Sequence, residues 1–155
     1  MTVDALQRFL VGSFPESPPT AVVEEIGDWG VRVRQPITEV NSRPGGTVSG
    51  PSLMALADLT AWSAVLVRIG PVALSVTTSL HIDFLRRPDL VDVVAEGRLL
   101  KLGRRLAVIQ VAMRSEGADD LLAQAQVTYS IPPERPAERL PDPDAAAVAR
   151  PPAGR

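Results

Sequence analysis

The chain has no cysteine and a single histidine, His81. Without cysteine there is no disulfide framework and no thiolate metal site, a composition that fits a reducing cytoplasm. Without a second histidine or a thiolate, His81 cannot build a metal centre; no metal is expected, and His81 reads as a solvated or interface strand residue. A charge excess is also missing, since 16 Lys and Arg face 18 Asp and Glu for a net charge of −2. That balance argues against a nucleic-acid partner held by bulk electrostatics. The opening MTVDALQRFL carries Asp4 and Arg8 and reads as a short amphipathic helix rather than a signal peptide. No membrane span is expected either, because the most apolar stretch contains Asp58 and falls short of about 18 to 20 uninterrupted apolar residues. What remains suffices for one domain: 155 residues, 45% of them apolar, can bury roughly 65 to 70% of the extended surface.

The most informative segment is Ser52 to Val67, SLMALADLTAWSAVLV, in which Asp58 is the single ionisable side chain. A carboxylate in a helix this apolar is costly, because desolvation disfavours its charged form, so Asp58 is the first candidate for chemistry. The preceding GGTVSGP predicts a helix start with Gly50 as N-cap and Pro51 at the first helical position, where a missing N–H costs nothing. Asp58 then lies about two turns in, roughly 10 Å along the axis. It sits behind a glycine-rich loop with free backbone N–H groups, so a base and an oxyanion site are expected to share one cleft.

Along the chain, the N-terminal helix and a proline-containing loop occupy residues 1–19. A hairpin follows, AVVEEI and GVRVRQPI around Gly27-Asp28-Trp29-Gly30. After the helix, closed by Gly70-Pro71, the period changes from helical to alternating. Val76, Thr78, Leu80, Ile82 and Phe84 are predicted on one face of a strand, with Thr77, Ser79, His81 and Asp83 on the other. Strands over 91–102 and 104–114, joined near Gly103, and a last strand over 122–131 complete the pattern; in the last, Ala125, Val127, Tyr129 and Ile131 form the apolar face. Strands in succession without intervening helices pair as hairpins, which predicts an α+β domain over 20–131: a curled antiparallel sheet wrapped around one long central helix. Ala55, Ala57, Ala61 and Ala64 would let the strands approach, and Leu53, Leu56, Val65 and Leu66 would fill the concavity. Residues 132–155, with seven prolines, read as a disordered tail too poor in apolar surface to offset its ordering cost.

The segments GGTVSGPSLMALAD, TTSLHIDFLRRP and KLGRRLAVIQVAMRS, in that order, resemble the acyl-CoA thioesterases of the phenylacetic-acid-degradation type, which have the hotdog fold. The resemblance covers roughly residues 20 to 131. In that family a His-Gly-Gly loop precedes the central helix and an acid follows nine positions after the His. Asp58 falls on the acid, and Ser49-Gly50-Pro51 falls on the loop. Ser49 thus replaces the His, Pro51 the second Gly, and Arg43 the family's loop Asn, with Asn41 two positions away.

The resemblance implies an acyl-CoA thioesterase with Asp58 as general base or nucleophile, the Gly50 amide polarising the thioester carbonyl, and Thr77 offering a hydroxyl across a subunit interface. Ser49 joins them through the loop position it occupies, and no cofactor is implied beyond the coenzyme A thioester itself. Coenzyme A carries phosphates that guanidinium groups hold well, which nominates Arg87 of the Arg86-Arg87 pair and Arg104-Arg105. Asn41, Arg43, Thr78 and Trp62 complete the candidate substrate-binding set. Each has a plainer reading: Asp58 as a satisfied helix carboxylate, Gly50 and Pro51 as caps, Thr77 as a β-branched strand residue, the arginines as solvated strand ends, and Trp62 as a packing residue. Two other functions compete. One is a non-catalytic acyl-CoA binder. The other is an enoyl-CoA hydratase, which needs a closely spaced Asp and His that His81, 23 residues from Asp58, does not supply. A single curled sheet leaves an edge strand open, so a homodimer, or a dimer of dimers, is expected, with no nucleic acid or membrane partner.

Overall fold

The computed structural model describes residues 1–133; the expected tail lies, but for its first two residues, outside the described residues. Helix α1, Val3–Ser13, starts where Thr2 accepts a hydrogen bond from the Ala5 N–H at 3.2 Å, and it buries Leu6 and Leu10, one turn apart. Two strands follow, β1 (Val22–Gly27) and β2 (Gly30–Gln35), then a 3₁₀ turn at Glu39–Asn41 and a small ribbon of β3 (Ser42–Arg43) and β4 (Thr47–Val48). Helix α2 spans Gly50–Ile69 and precedes β5 (Val76–Phe84), β6 (Val93–Leu102), β7 (Leu106–Ser115) and β8 (Ala123–Ser130). The six long strands form one antiparallel sheet in the order β1-β2-β6-β7-β8-β5. This is the expected α+β arrangement, with α2 packed against β2, β5, β6, β7 and β8.

The N-cap of α2 is Ser49 rather than Gly50: the Ser49 hydroxyl accepts from the Ser52 N–H at 3.3 Å, which places Gly50 and Pro51 inside the first turn. A hydroxyl satisfies an orphan N–H and glycine cannot, so the cap moves one residue upstream. The helix stops at Gly70, whose φ of 87° an L side chain rarely adopts. By length and composition α2 could cross a bilayer, but 56% of its most apolar window is buried within the domain, as in a core helix.

Leu53, Leu56, Ala57, Ala61, Ala64, Val65 and Leu66 are buried as expected, whereas Ala55 is exposed. Helix and sheet approach closely at Gly97 on β6. A Cβ there would lie 3.0 Å from Thr60 Cγ2 and 3.1 Å from the Thr60 carbonyl oxygen, so glycine is what lets α2 seat.

The alternation expected for β5 breaks at its beginning. The pairing with β8 shifts between Thr77, opposite Tyr129, and Ser79, opposite Thr128, which leaves Thr78 as the extra residue of a β-bulge. The bulge reverses the faces upstream of it. Thr77, not Val76 or Thr78, stands with Leu80 and Ile82 on the helix side, while Val76 and Thr78 are exposed. The turn between β6 and β7 holds Arg104 and Arg105, which the sequence placed inside a strand.

Candidate functional site

Two cavities flank α2. One, of about 690 Å³, lies beside the second and third turns. Its walls are mostly apolar, with Leu56, Leu59 and Trp62 from the helix and Phe14, Pro18 and Pro19 from the segment after α1. Asp58, Thr77 and Tyr129 supply its polar end. Asp58 is half-buried and close to two hydroxyls: Thr77 donates to Oδ1 at 2.6 Å and Tyr129 donates to the same oxygen at 2.7 Å. The Tyr129 hydroxyl also lies 3.1 Å from the Asp58 main-chain carbonyl oxygen. Burial pushes the Tyr129 phenol above its ordinary pKa; the nearby Asp58 charge and its hydrogen bond raise it further, while Thr77 acts in the opposite sense. Tyr129 therefore stays protonated and acts as a donor.

Thr77 reaches Asp58 of its own chain, with no second subunit needed for that contact. The bulge at Thr78 makes this possible, because an unbroken strand would have turned the Thr77 side chain away from α2. Sequence reading counted Tyr129 only as an apolar member of the β8 alternation. The available signal was chemical: it is the only tyrosine in the chain, and it lies on the strand face turned toward a helix with one carboxylate.

The other cavity, about 670 Å³, lies at the N-terminal end of α2. Gly50, Leu53 and Phe84 form part of its wall, and Arg43, Arg86 and Arg87 line it as well. Both members of the Arg86-Arg87 pair line it because they follow β5 rather than alternate within it. Arg87 donates to the Gly45 carbonyl; Arg86 donates to the Leu121 carbonyl at 2.7 Å and pairs with Asp120 at 3.3 Å. The Gly50 N–H has no protein acceptor among the described residues, while the Ser52 N–H is taken by Ser49. With Pro51 lacking an N–H, Gly50 provides the free donor of this first turn.

Gly50 and Asp58 therefore open into different cavities of one chain. Eight residues separate them, about 12 Å along the helix axis, so the single shared cleft expected from the sequence is not formed within one protomer.

The remaining candidates are placed as follows. Ser49 is absorbed in capping, with its Oγ 2.8 Å from Ser52 Oγ, and it lines neither cavity. The Asn41 side chain accepts from the Thr38 N–H at 3.0 Å and from the Thr38 hydroxyl at 3.2 Å, closing its own 3₁₀ turn. Thr78, on the bulge, donates to the Thr128 carbonyl at 3.1 Å and faces solvent. Arg104 and Arg105 lie at the sheet end where Leu106 faces Ser130, opposite the end where Phe84 faces Ala123. One protomer cannot gather them with Arg87. Trp62 is buried, with its ring 5.8 Å from those of both Phe9 and Phe14. No cluster of three potential metal ligands occurs among the described residues.

A profile described as the thioesterase superfamily matches residues 45–129. Among solved structures, a thioesterase candidate from a Silicibacter species is 39% identical, with a TM-score of 0.79 over 86% of this chain and 93% of that one. A point mutant of the phenylacetic acid degradation protein PaaI from Thermus thermophilus is 26% identical, with a TM-score of 0.62 over 71% of this chain and 91% of its own. A curated esterase candidate from Thermoplasma acidophilum is 25% identical over 109 residues, 70% of this chain and 81% of its own length.

Proposed function

The chain belongs to the thioesterase superfamily, and from that premise we propose that it hydrolyses an acyl-coenzyme A to the free acid and coenzyme A. The observation that carries this reading is the Asp58 carboxylate. One of its oxygens is held by two hydroxyls, at one end of a cavity whose other walls are largely apolar. Thioester hydrolysis needs a base or nucleophile, an oxyanion donor and a grip on a charged leaving group. Asp58 takes the first role. In the general-base route its carboxylate accepts a proton from water as the water oxygen bonds to the carbonyl carbon. The π pair moves to the carbonyl oxygen, and collapse expels the coenzyme A thiolate, which regains the proton. In the nucleophilic route the carboxylate bonds to that carbon first, the C–S bond breaks to expel the thiolate, and water then cleaves the resulting anhydride, regenerating the carboxylate and giving the thiolate its proton.

The Gly50 N–H, at the positive end of α2, is the oxyanion donor. Arg43, Arg86 and Arg87 around the same cavity suit the phosphates of coenzyme A. The apolar cavity beside Asp58, with Trp62 on its wall, suits the acyl group.

Two protomers make one site under this reading. An antiparallel pairing of α2 with its copy, about a two-fold axis near Met54, would set Gly50 of one protomer against Asp58 of the other. Met54 is 42% exposed, and β5 is an open edge strand with Val76 at 58% and Phe84 at 51% exposure. These features support a homodimer, and no cofactor enters the reaction.

The test is thiol release from a panel of acyl-coenzyme A thioesters by the wild type and Asp58→Asn. Hydrolysis by the wild type that falls at least about 100-fold in the variant supports the reading. Equal binding by both with no thiol released would identify a non-catalytic acyl-CoA-binding protein instead.

A further inference from the structure

The two oxygens of Asp58 are not equivalent. Oδ1 accepts from Thr77 at 2.6 Å and from Tyr129 at 2.7 Å, whereas Oδ2 has no protein partner among the described residues. Oδ2 is not sealed away either. The fully buried side-chain polar atoms without a partner among the described residues are Thr60 Oγ1 and Trp62 Nε1, so Oδ2 is not fully buried, and Asp58 lines the cavity.

The two donors also differ in how firmly they are held. Thr77 precedes a bulge in an edge strand, and its hydroxyl turns on one torsion. Tyr129 is 3% exposed on β8, a strand paired on both sides, by β7 and β5. Its hydroxyl meets both the carboxylate and the main-chain carbonyl of Asp58, so it ties the side chain to the helix backbone that carries it.

We propose, on the thioesterase reading above, that Tyr129 is a positioning residue that divides the work between the two carboxylate oxygens: Oδ1 is the anchor and Oδ2 is the oxygen that reacts. Two hydroxyl donors on one oxygen concentrate negative charge there and fix the rotation of the carboxylate. The free oxygen is then presented to the cavity in one orientation, where water or the thioester carbonyl meets it. Among the described residues, Asp58 and Tyr129 are the only ionisable ones lining this cavity; Glu16, in the segment that supplies part of its wall, is not among the lining residues.

The experiment compares pH profiles of kcat and kcat/KM for the wild type, Tyr129→Phe, and wild-type protein grown with fluorinated tyrosine. Because the chain has one tyrosine, the fluorinated sample is altered at this residue alone. Loss of the hydroxyl removes a donor from the charged carboxylate, so Tyr129→Phe is expected to move the acid limb of the profile upward relative to the wild type. Its kcat should fall about tenfold or more with KM little changed. Fluorination makes the phenol a stronger donor and should move the limb the other way. A tyrosine that only packs would move neither, and limbs that coincide in all three active samples overturn the proposal. Carbon NMR titration of the Asp58 carboxyl in the same samples reads the contact without turnover. A wild type that releases no thiol while this titration responds to Tyr129 defeats the thioesterase reading and the assignment of Oδ2, and leaves the anchoring contact established. If Tyr129→Phe does not fold, the fluorinated sample decides.

Discussion

The separation of Gly50 from Asp58 makes a subunit-complementation experiment decisive. Asp58→Asn removes the proposed base. Gly50→Pro removes the N–H, and the local geometry accepts it: proline suits the first turn of a helix. The preceding Ser49, at φ −75° and ψ 148°, already has the extended conformation that proline requires of its neighbour. A Cβ at position 50 meets only the Phe84 ring, with Cζ at an ordinary 3.5 Å and Cε1 at 3.9 Å. Loss of one oxyanion donor costs about 100- to 1,000-fold in kcat, and loss of a general base costs a similar factor. Each homodimer should therefore retain about 1% of wild-type activity or less. Both groups must come within about 3 Å of the reacting carbonyl, which the roughly 12 Å between them on one helix forbids. In a heterodimer of the two variants, the two-fold axis places both lesions in one site and leaves the other intact. Co-expression with two different tags and tandem purification isolates that species. Its expected thiol release is about half that of the wild-type dimer, a gain of about 50-fold or more over either parent. A heterodimer no more active than its parents would refute the composite site, and a fully active Gly50→Pro homodimer would refute the oxyanion assignment.

Three further outcomes are expected. Gly97→Ala forces a methyl group to within 3.0 Å of Thr60 Cγ2 and 3.1 Å of its carbonyl oxygen, and should cost about 1 to 3 kcal/mol in urea unfolding; an unchanged midpoint would mean that α2 does not seat there. Arg87→Ala should raise KM for an acyl-coenzyme A about tenfold, while leaving KM for the acyl-pantetheine thioester, which lacks the nucleotide, unchanged. Glu24, on the outer sheet face with Arg32 and Arg34, is below its ordinary pKa: burial opposes this, but the hydrogen bonds and charges of Arg34 and Arg32 outweigh it. Its contribution is present above the ordinary carboxylate pKa and is lost as pH falls through the native value. Glu24→Gln should then be less stable than wild type by about 1 kcal/mol or less at neutral pH, with the gap closing in acid.

The sequence made the architecture legible because its signals were of long range. A long apolar helix with one acidic residue, a glycine-flanked turn between two apolar segments, and an apolar face of period two on β8 each survive small local departures. The candidate site was less legible because it depends on displacements of one residue. The bulge at Thr78 carries no glycine or other mark, yet it turns Thr77 toward Asp58 and Val76 away. The cap at Ser49 removed a residue from the candidate chemistry because a serine that satisfies the Ser52 N–H is already occupied. Tyr129 escaped notice because a phenol counts as apolar in a burial pattern while its hydroxyl does not. The split between Gly50 and Asp58 followed from helical rise alone, but only the two separate cavities gave it a meaning for assembly.

The segment from Ser13 to Thr20 forms one wall of the cavity beside Asp58, yet it belongs to no strand of the sheet. Gln7 fastens its neighbourhood to the sheet by two hydrogen bonds, to the Ala21 carbonyl at 3.2 Å and from the Val23 N–H at 2.8 Å. Under the proposed reading, part of the substrate preference is carried by a strap outside the sheet, and Leu56, Leu59 and Trp62 of the core helix carry another part. An engineer, or natural drift, can redraw one wall of the pocket by editing this short strap while the sheet, the central helix and Asp58 stay untouched.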